Sequence, residues 1–386
     1  MNPREGVSAE GLRLALFTDT WLPQVNGVSR TLDRLAHAIE KRGGEVRIVT
    51  TTDTAATPDS RVERWPSVPF WAYPDNRIAA PHARRALELI EEWRPTLVHS
   101  ATEFGVGLAG LVAARQARVP FVTSYHTHFE RYIEYYGLGW LNAIAWPFLR
   151  WFHNAGSLTW APSGVVAAEL AEHGFRNVRV WSRGVEHERF NPSFRSRDLR
   201  ARLGAADDTV VVAYVGRIAP EKGIHVAIQG MREVLARNAG RVVFALAGDG
   251  PAEADCRAAA PDGTVFAGRL TGRALSEFYA SADVFVFPSV TETFGNVVLE
   301  AMASGLAVVA PDVGATTELA APPRAAQFRA GDAASLAARV ESLVVDAPLR
   351  RAIASAALEE AAGRTWDAVF DRLIADYREA TGPRRG

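Results

Sequence analysis

The chain has 386 residues, of which 48% are hydrophobic and 23% charged, and its formal net charge at pH 7 is −1. This length predicts two domains rather than one core, and the balanced charge excludes the strongly basic surface of a nucleic-acid-binding protein. The single cysteine, Cys256, excludes a disulfide framework and indicates a reducing, cytoplasmic compartment, and the sequence has neither a signal peptide at residues 1–11 nor an apolar run of about 20 residues that could span a membrane.

Short apolar runs alternate with helix-like stretches along the first half of the chain. Strands are predicted at 12–18, 45–50, 97–100 and 121–124, and helices at 29–42, 84–93 and 105–118. This alternation is typical of a parallel sheet covered by helices on both faces.

The same alternation starts again after about residue 200. Strands are predicted at 210–216, 242–248, 264–266, 284–287 and 307–310, and helices at 223–238, 272–281, 296–304 and 333–344. A polar linker is expected at 186–200. We therefore predict an α/β protein with an N-terminal domain at 1–190 and a second domain at 191–365. A C-terminal helix within 366–386 is expected to pack back on the first domain.

A turn between a strand and a helix, at residues 214–223, carries Gly216, Arg217, Lys222 and Gly223. Backbone N–H groups in such a turn can bind an anion. The Arg217 guanidinium can donate two parallel hydrogen bonds to phosphate oxygens, and the Lys222 ammonium adds a compact positive charge. Only two of the 43 basic residues are lysines, Lys41 and Lys222, which indicates that an ammonium is required in this turn. The alternative is a solvated loop.

A second junction between a strand and a helix, at residues 288–302, contains the frame Glu-Thr-Phe-Gly-Asn and two glutamates, Glu292 and Glu300. The helix start offers N–H groups at residues 296–298 to a diphosphate. Glu300 is placed to accept hydrogen bonds from a ribose diol and Glu292 from sugar hydroxyls. Spacing alone would also allow both to be surface residues.

These two motifs and the two-domain pattern resemble the GT4 family of retaining glycosyltransferases, which have the GT-B fold of two doubly wound Rossmann-like domains facing across a cleft. The resemblance covers nearly the whole chain. It implies that Glu300 holds the nucleotide ribose, that Glu292 contacts the donor sugar, and that Arg217 and Lys222 bind the diphosphate. The donor-binding set expected on this basis is Gly27, Gly216, Arg217, Lys222, Gly268, Glu292, Phe294, Gly295, Asn296, Val297, Val298 and Glu300.

The N-terminal half contributes further expected site residues. The segment 17–30 contains Asp19 and the pair Asn26-Gly27, and it is similar to a subgroup of lipid mannosyltransferases and sulfolipid synthases. Asp19 is expected on the acceptor side, with a turn or helix-cap role as the alternative. His126 matches the family histidine that faces the reacting sugar, and His128 is a second candidate.

Two further loops complete the expected site. Arg183 lies in a family loop near the hinge, where it would reach the phosphates or form a structural salt bridge. Gly268 is expected beside the nucleotide base. The resemblance implies front-face attack, in which a donor phosphate oxygen takes the acceptor proton, so His126 orients the sugar. The catalytic set is therefore His126, Arg217, Lys222 and Glu292, with neither a cofactor nor a metal ion, since the sequence has no Asp-x-Asp motif.

The acceptor is predicted to be a lipid or a glycan. Residues 131–160 combine arginines with many aromatic residues, a composition found at bilayer surfaces, so peripheral contact with the inner face of the cell membrane is a hypothesis. The aromatic residues are Tyr132, Tyr135, Tyr136, Trp140, Trp146, Phe148, Trp151, Phe152 and Trp160. Alternatively they pack on the first domain.

The favoured donor is GDP-mannose. The alternatives are a UDP-sugar-dependent glucosyl- or sulfoquinovosyltransferase and a nucleotide-binding protein without transferase activity. An NAD-dependent oxidoreductase is disfavoured, because no Gly-x-Gly-x-x-Gly motif follows the first strand.

Overall fold

The computed structural model describes residues 6–24, 26–70, 73–126, 140 and 142–382. The chain divides into two compact units. Unit 1 comprises residues 1–182 and 367–386, and unit 2 comprises residues 183–366. Each unit is built on its own parallel sheet.

Unit 1 contains a seven-stranded sheet. The strands of this sheet are β1 (Arg13–Phe17), β2 (Glu45–Thr51), β3 (Val62–Trp65), β6 (Leu97–Ser100), β7 (Phe121–Ser124), β8 (Thr159–Ala161) and β9 (Val178–Val180). Two further strands, β4 (Ser67–Phe70) and β5 (Tyr73–Ala79), form a separate antiparallel pair. The strand order is β3-β2-β1-β6-β7-β8-β9, and every neighbouring pair is parallel. The carboxyl ends of β1, β6 and β7 therefore meet at one edge, where ligands of open α/β sheets bind.

Helices connect these strands. They are α1 (Gly27–Lys41), α2 (Ala83–Trp93), α3 (Gly105–Ala117), α4 (Asn142–His153) and α5 (Gly164–Glu172). Helix α1 buries Leu32, Leu35 and Ile39, which recur at helical spacing and form its apolar face.

Unit 2 contains a six-stranded parallel sheet in the order β12-β11-β10-β13-β14-β15. Its strands are β10 (Val210–Val215), β11 (Val242–Ala247), β12 (Thr264–Gly268), β13 (Val284–Val286), β14 (Ala307–Pro311) and β15 (Ala325–Phe328). Its helices are α6 (Arg197–Arg202), α7 (Ile224–Arg237), α8 (Glu253–Ala259), α9 (Gly272–Ser281), α10 (Asn296–Ala303), α11 (Ala333–Val345) and α12 (Ala347–Ala362).

Strand β10 explains why the strands of unit 2 are continuous apolar runs. Val211, Ala213 and Val215 enter the core on one face of the sheet, while Val210, Val212 and Tyr214 enter the core on the other. Successive side chains of a strand point to opposite faces, so a strand covered on both sides must be apolar throughout. The prediction of two parallel-sheet α/β domains is confirmed.

The segment expected to be a linker is structured and belongs to unit 2. Within it, α6 begins at Arg197, and the Arg200 side chain is buried. Its guanidinium donates to Asp283 Oδ2 at 2.9 Å and to Thr209 O at 2.6 Å. These long-range bonds, which sequence periodicity does not reveal, hold the segment on unit 2.

The last helix, α13 (Trp366–Thr381), packs on the sheet of unit 1 through its residues from Asp367 onward. Asp376 Oδ2 accepts from Trp160 Nε1 at 3.0 Å, and Tyr377 bonds to His99. Phe370, Leu373 and Ile374 are buried.

Candidate active site

The turn after β10 presents the two cations expected at the site. Gly223, which follows Lys222, has φ +66°, and a Cβ there would lie 2.8 Å from Pro288 O, so a glycine is required. Several backbone amides of the turn are already used within the protein. Gly216 N donates to Ala247 O at 3.0 Å and Ile218 N to Asp249 O at 2.8 Å. The N–H of Gly216 is therefore not available to an anion, because the hydrogen-bond ladder of the sheet continues through it, and the place of Gly216 in the donor site stays a prediction.

Lys222 and Glu292 come together from separate segments of unit 2 and form an ion pair between Nζ and Oε1. Both side chains are partly buried, with 20% and 25% exposed. Thr291 Oγ1 donates to Glu221 O at 3.2 Å and ties the two loops together. Two residues predicted to contact the same donor are thus neighbours, and their charges balance.

Helix α10 starts at Asn296, directly after Gly295, whose φ of +97° is accessible to glycine. Within the described residues, the N–H groups of Asn296 and Val297 donate to no other group, and the helix has no side-chain cap. Val298 differs from our expectation, since its N–H donates to Gly295 O at 3.0 Å. The helix start therefore offers two N–H groups to an anion rather than three.

Glu300 lies one turn into α10 and is oriented by a residue that the sequence did not reveal. Tyr279, fully buried on α9, donates from its hydroxyl to Glu300 Oε2 at 3.0 Å. Burial raises the pKa of Tyr279 well above its usual value, so the phenol stays a donor. Nothing in the pattern of α9 distinguishes this tyrosine from an ordinary core residue.

The remaining expected donor residues of unit 2 differ in their placement. The Phe294 side chain packs in the hydrophobic core with 4% of its surface exposed, so a contact of Phe294 with the donor would have to come from its backbone. Val297 also packs against that core. Gly268 has φ +68°, and its carbonyl accepts from Gly248 N at 2.9 Å, which places the two glycine loops side by side.

Arg183, at the start of unit 2, is buried with 5% of its surface exposed. Burial lowers the pKa of its guanidinium to about 10. The adjacent backbone is held by Val185 N, which donates to Arg364 O at 3.0 Å.

In unit 1, Asp19 caps the start of α3. Its Oδ2 accepts from Thr102 Oγ1 at 2.7 Å, and its Oδ1 accepts from Val106 N at 3.2 Å. Burial raises the pKa of Asp19 from 3.8 to about 6, and these hydrogen bonds oppose the shift. The cap role that the sequence left open is thus present in the structure.

Gly27 begins α1, but the start of this helix is capped internally. Asn26 Oδ1 accepts from Val28 N at 3.0 Å and from Ser29 N at 2.8 Å. These two amides are therefore not available to an anion, because the asparagine side chain occupies them.

His126 follows β7 and is buried, with 8% of its surface exposed. Its Nε2 lies 2.8 Å from Ser124 Oγ, which in turn lies 2.8 Å from His99 Nε2. His128 lies outside the described residues, as do residues 131–139 and 141 of the aromatic segment. Among the described residues, no group of three His, Cys, Asp or Glu side chains is arranged to hold a metal ion.

Comparison with known proteins shows which family the chain belongs to. The model of glycosyltransferase family 4 matches residues 25–189, and that of glycosyl transferases group 1 matches residues 209–346. A GDP-mannose-dependent alpha-mannosyltransferase of Mycolicibacterium smegmatis is 34% identical over 383 residues, which cover 97% of this chain and 99% of that protein. The chain belongs to glycosyltransferase family 4.

A second relative supports this family assignment, and a solved structure supports the fold. The sulfoquinovosyl transferase of Arabidopsis thaliana is 32% identical over 94% of this chain and 72% of its own length. The crystal structure of Anabaena HepE in complex with UDP-glucose matches with a TM-score of 0.72 at 22% identity, over 96% of this chain and 100% of that one. The predictions of a glycosyltransferase and of the GT-B fold are confirmed.

Proposed function

We propose that this glycosyltransferase moves mannose from GDP-mannose to a lipid-like acceptor and keeps the anomeric configuration. The observation that carries this proposal is the 34% identity with a GDP-mannose-dependent alpha-mannosyltransferase over almost the full length of both chains. GDP-mannose is an α-linked donor, so an α-mannoside product corresponds to retention.

The donor diphosphate is held in unit 2 by Arg217, Lys222 and the N–H groups of Asn296 and Val297. The leaving GDP gains negative charge as the bond between the sugar and the phosphate breaks. Fixed cations and helix-start amides stabilise that charge without needing to reorganise.

Glu292 changes partner when the donor binds. Its carboxylate is paired with Lys222 in the described structure. A diphosphate carries more charge than a carboxylate and competes for the ammonium. The freed Glu292 then accepts from sugar hydroxyls, while Glu300, fixed by Tyr279, accepts from the ribose.

Transfer proceeds by attack on the front face of the sugar. The bond from the anomeric carbon to the phosphate oxygen breaks, the acceptor oxygen bonds to that carbon, and its proton passes to the departing phosphate. His126 orients the reacting sugar by hydrogen bonding. Asp19 is not the nucleophile of this scheme, because both its carboxylate oxygens accept hydrogen bonds within unit 1, from the Thr102 hydroxyl and from the Val106 amide at the start of α3.

The donor is tested by incubating the purified protein with GDP-mannose, UDP-glucose or UDP-sulfoquinovose and vesicles that contain diacylglycerol and phosphatidylglycerol. We expect GDP release and a mannosylated lipid in the mass spectrum, with an α linkage by NMR. Product from a UDP-sugar alone would replace the mannosyl proposal with the glucosyl or sulfoquinovosyl alternative. Release of no nucleotide from any donor would favour a nucleotide-binding protein.

Contact with the cytoplasmic face of the membrane is part of the proposal and is supported by the surface around α4. Trp140, Ile144 and Trp151 are exposed by 69%, 65% and 49%. Arg150 is also exposed on this helix, and the Arg115 guanidinium lies 5.9 Å from the Trp151 ring. Exposed aromatic and aliphatic side chains beside arginines suit an anionic bilayer surface. Among the described residues, no helix has the length and apolarity needed to cross a bilayer.

This contact is tested by sedimentation with phosphatidylglycerol vesicles at low salt. The double variant Ile144→Glu with Trp151→Glu should lose vesicle binding, because it places acidic groups on the proposed contact surface. Val345→Glu is the matched control, since Val345 is a 62% exposed apolar residue on unit 2. Equal binding by wild type and the double variant, or no binding by wild type, would contradict membrane contact at α4.

A further inference from the structure

Four side chains of unit 1 form a continuous line of hydrogen bonds that runs from α13 to His126. Tyr377 Oη lies 2.8 Å from His99 Nδ1, and His99 Nε2 lies 2.8 Å from Ser124 Oγ. Ser124 Oγ lies 2.8 Å from His126 Nε2. The line joins the C-terminal helix to the carboxyl end of β7, where His126 is located.

Two members of this line, His99 and the terminal Tyr377, are completely buried. Trp160 and Trp181 surround the His99 ring, with ring centroids at 5.4 and 6.1 Å. Burial lowers the pKa of His99 to about 3, so its ring is neutral. Burial also raises the pKa of Tyr377 well above its usual value, so its hydroxyl keeps its hydrogen. The nearest carboxylate on α13, Asp376, is paired with Arg179 and bonded to Trp160 Nε1.

The direction of the hydrogen bonds follows from the need to satisfy the phenol. Within the described part of the chain, His99 Nδ1 is the partner of the Tyr377 hydroxyl, so the phenol donates to that nitrogen. A neutral His99 then carries its hydrogen on Nε2 and donates to Ser124 Oγ. The Ser124 hydroxyl therefore directs its own hydrogen to His126 Nε2.

We propose that Tyr377 and His99 are positioning residues that hold His126 as a neutral imidazole with its hydrogen on Nδ1. The tautomer itself follows from the hydrogen bonds, while its importance for transfer rests on the role proposed above for His126. In this state Nδ1 is a hydrogen-bond donor and the Nε2 lone pair is occupied. A hydrogen bond from this ring to the sugar therefore uses the hydrogen on Nδ1, and the ring does not remove a proton from the acceptor.

The test is a long-range ¹H–¹⁵N NMR spectrum of protein labelled with ¹⁵N-histidine, which shows which ring nitrogen carries hydrogen. The His126→Gln variant identifies the His126 signals by their loss. In the wild type we expect hydrogen on Nδ1 of His126 and on Nε2 of His99. A wild-type spectrum with the His126 hydrogen on Nε2 would overturn the proposal without any further variant.

The Tyr377→Phe variant removes only the terminal donor. We expect the His126 signals to move toward an average of both tautomers and kcat for transfer to fall about tenfold, the equivalent of one hydrogen bond, with little change in the donor KM. His153, which bonds to Thr123 Oγ1 at 2.8 Å and to Glu103, is an internal control whose signals should not move.

The spectra and the rates separate the two claims. Unchanged His126 signals in Tyr377→Phe would overturn the proposal that Tyr377 and His99 set the tautomer of His126. Shifted His126 signals with unchanged kcat would support this control of the tautomer and would instead refute the role of His126 in transfer. Should Tyr377→Phe fail to fold, Ser124→Ala breaks the line at its other end and must alter the His126 signals in the same way.

Discussion

Replacing Lys222 with alanine should separate catalysis from stability. The Lys222–Glu292 pair is partly exposed, at 20% and 25%, so its loss should lower the free energy of unfolding by only about 1 kcal/mol. In a unit of this size that corresponds to a drop in melting temperature of roughly 2–4 °C. Loss of the Lys222 charge, which stabilises the departing diphosphate, should lower kcat/KM about 10²–10³-fold. This corresponds to about 3–4 kcal/mol of transition-state stabilisation.

The assay is GDP release from GDP-mannose with saturating acceptor, measured beside thermal unfolding. Lys41→Ala is the matched control, because Lys41 is the only other lysine in the sequence and is exposed in the last turn of α1. We expect wild-type kinetics for that control. The reasoning would be refuted if Lys222→Ala kept kcat/KM within about threefold of wild type, or if its activity fell only in proportion to the unfolded fraction.

Three further predictions follow from neighbouring contacts. Tyr279→Phe should raise the KM for the sugar nucleotide about tenfold with a smaller change in kcat, because Glu300 loses the phenol hydrogen bond that orients it. Steady-state kinetics would contradict this prediction if only kcat changed. The pKa of Asp19 is raised from 3.8 to about 6 on folding, so its contribution to the free energy of unfolding is fully present below pH 4 and falls by up to about 3 kcal/mol as the pH rises through 6. Asp19→Asn should therefore flatten the dependence of melting temperature on pH in this range. An unchanged slope would count against the raised pKa. Gly223→Ala should lower the melting temperature and weaken GDP binding in calorimetry, because its Cβ would lie 2.8 Å from Pro288 O at φ +66°; wild-type affinity would show that the Lys222 turn tolerates the change.

Much of the framework of the site could be predicted because its signals are local. The strands of unit 2 are continuous apolar runs since both faces are covered, and β10 and β13 are each followed by a conspicuous motif. Short edge strands such as β9, with three residues, carry too little periodicity to be recognised. The sequence also does not show that amides of the Gly216 turn and at the start of α1 are already bonded within the protein. Their partners, Ala247 O and the Asn26 side chain, become visible only in three dimensions.

The residues that orient the site could not be predicted because they act over long sequence separations. Tyr377 meets His99 across 278 positions, and each residue alone has the pattern of a core side chain. Phe294 lies in the most distinctive motif of the chain, yet its ring fills the core while its neighbours form the helix start. Motif membership therefore predicts which segments form the donor site but not which atoms of each residue are available to it.

The central claim is that Arg217, Lys222 and the start of α10 hold a nucleotide diphosphate, and a crystal structure of the protein with GDP tests it most directly. We predict phosphate oxygens within hydrogen-bond distance of Lys222 Nζ and of the N–H groups of Asn296 and Val297, with the ribose hydroxyls on Glu300. A diphosphate bound elsewhere, with Lys222 still paired to Glu292 and the start of α10 unoccupied, would contradict the account.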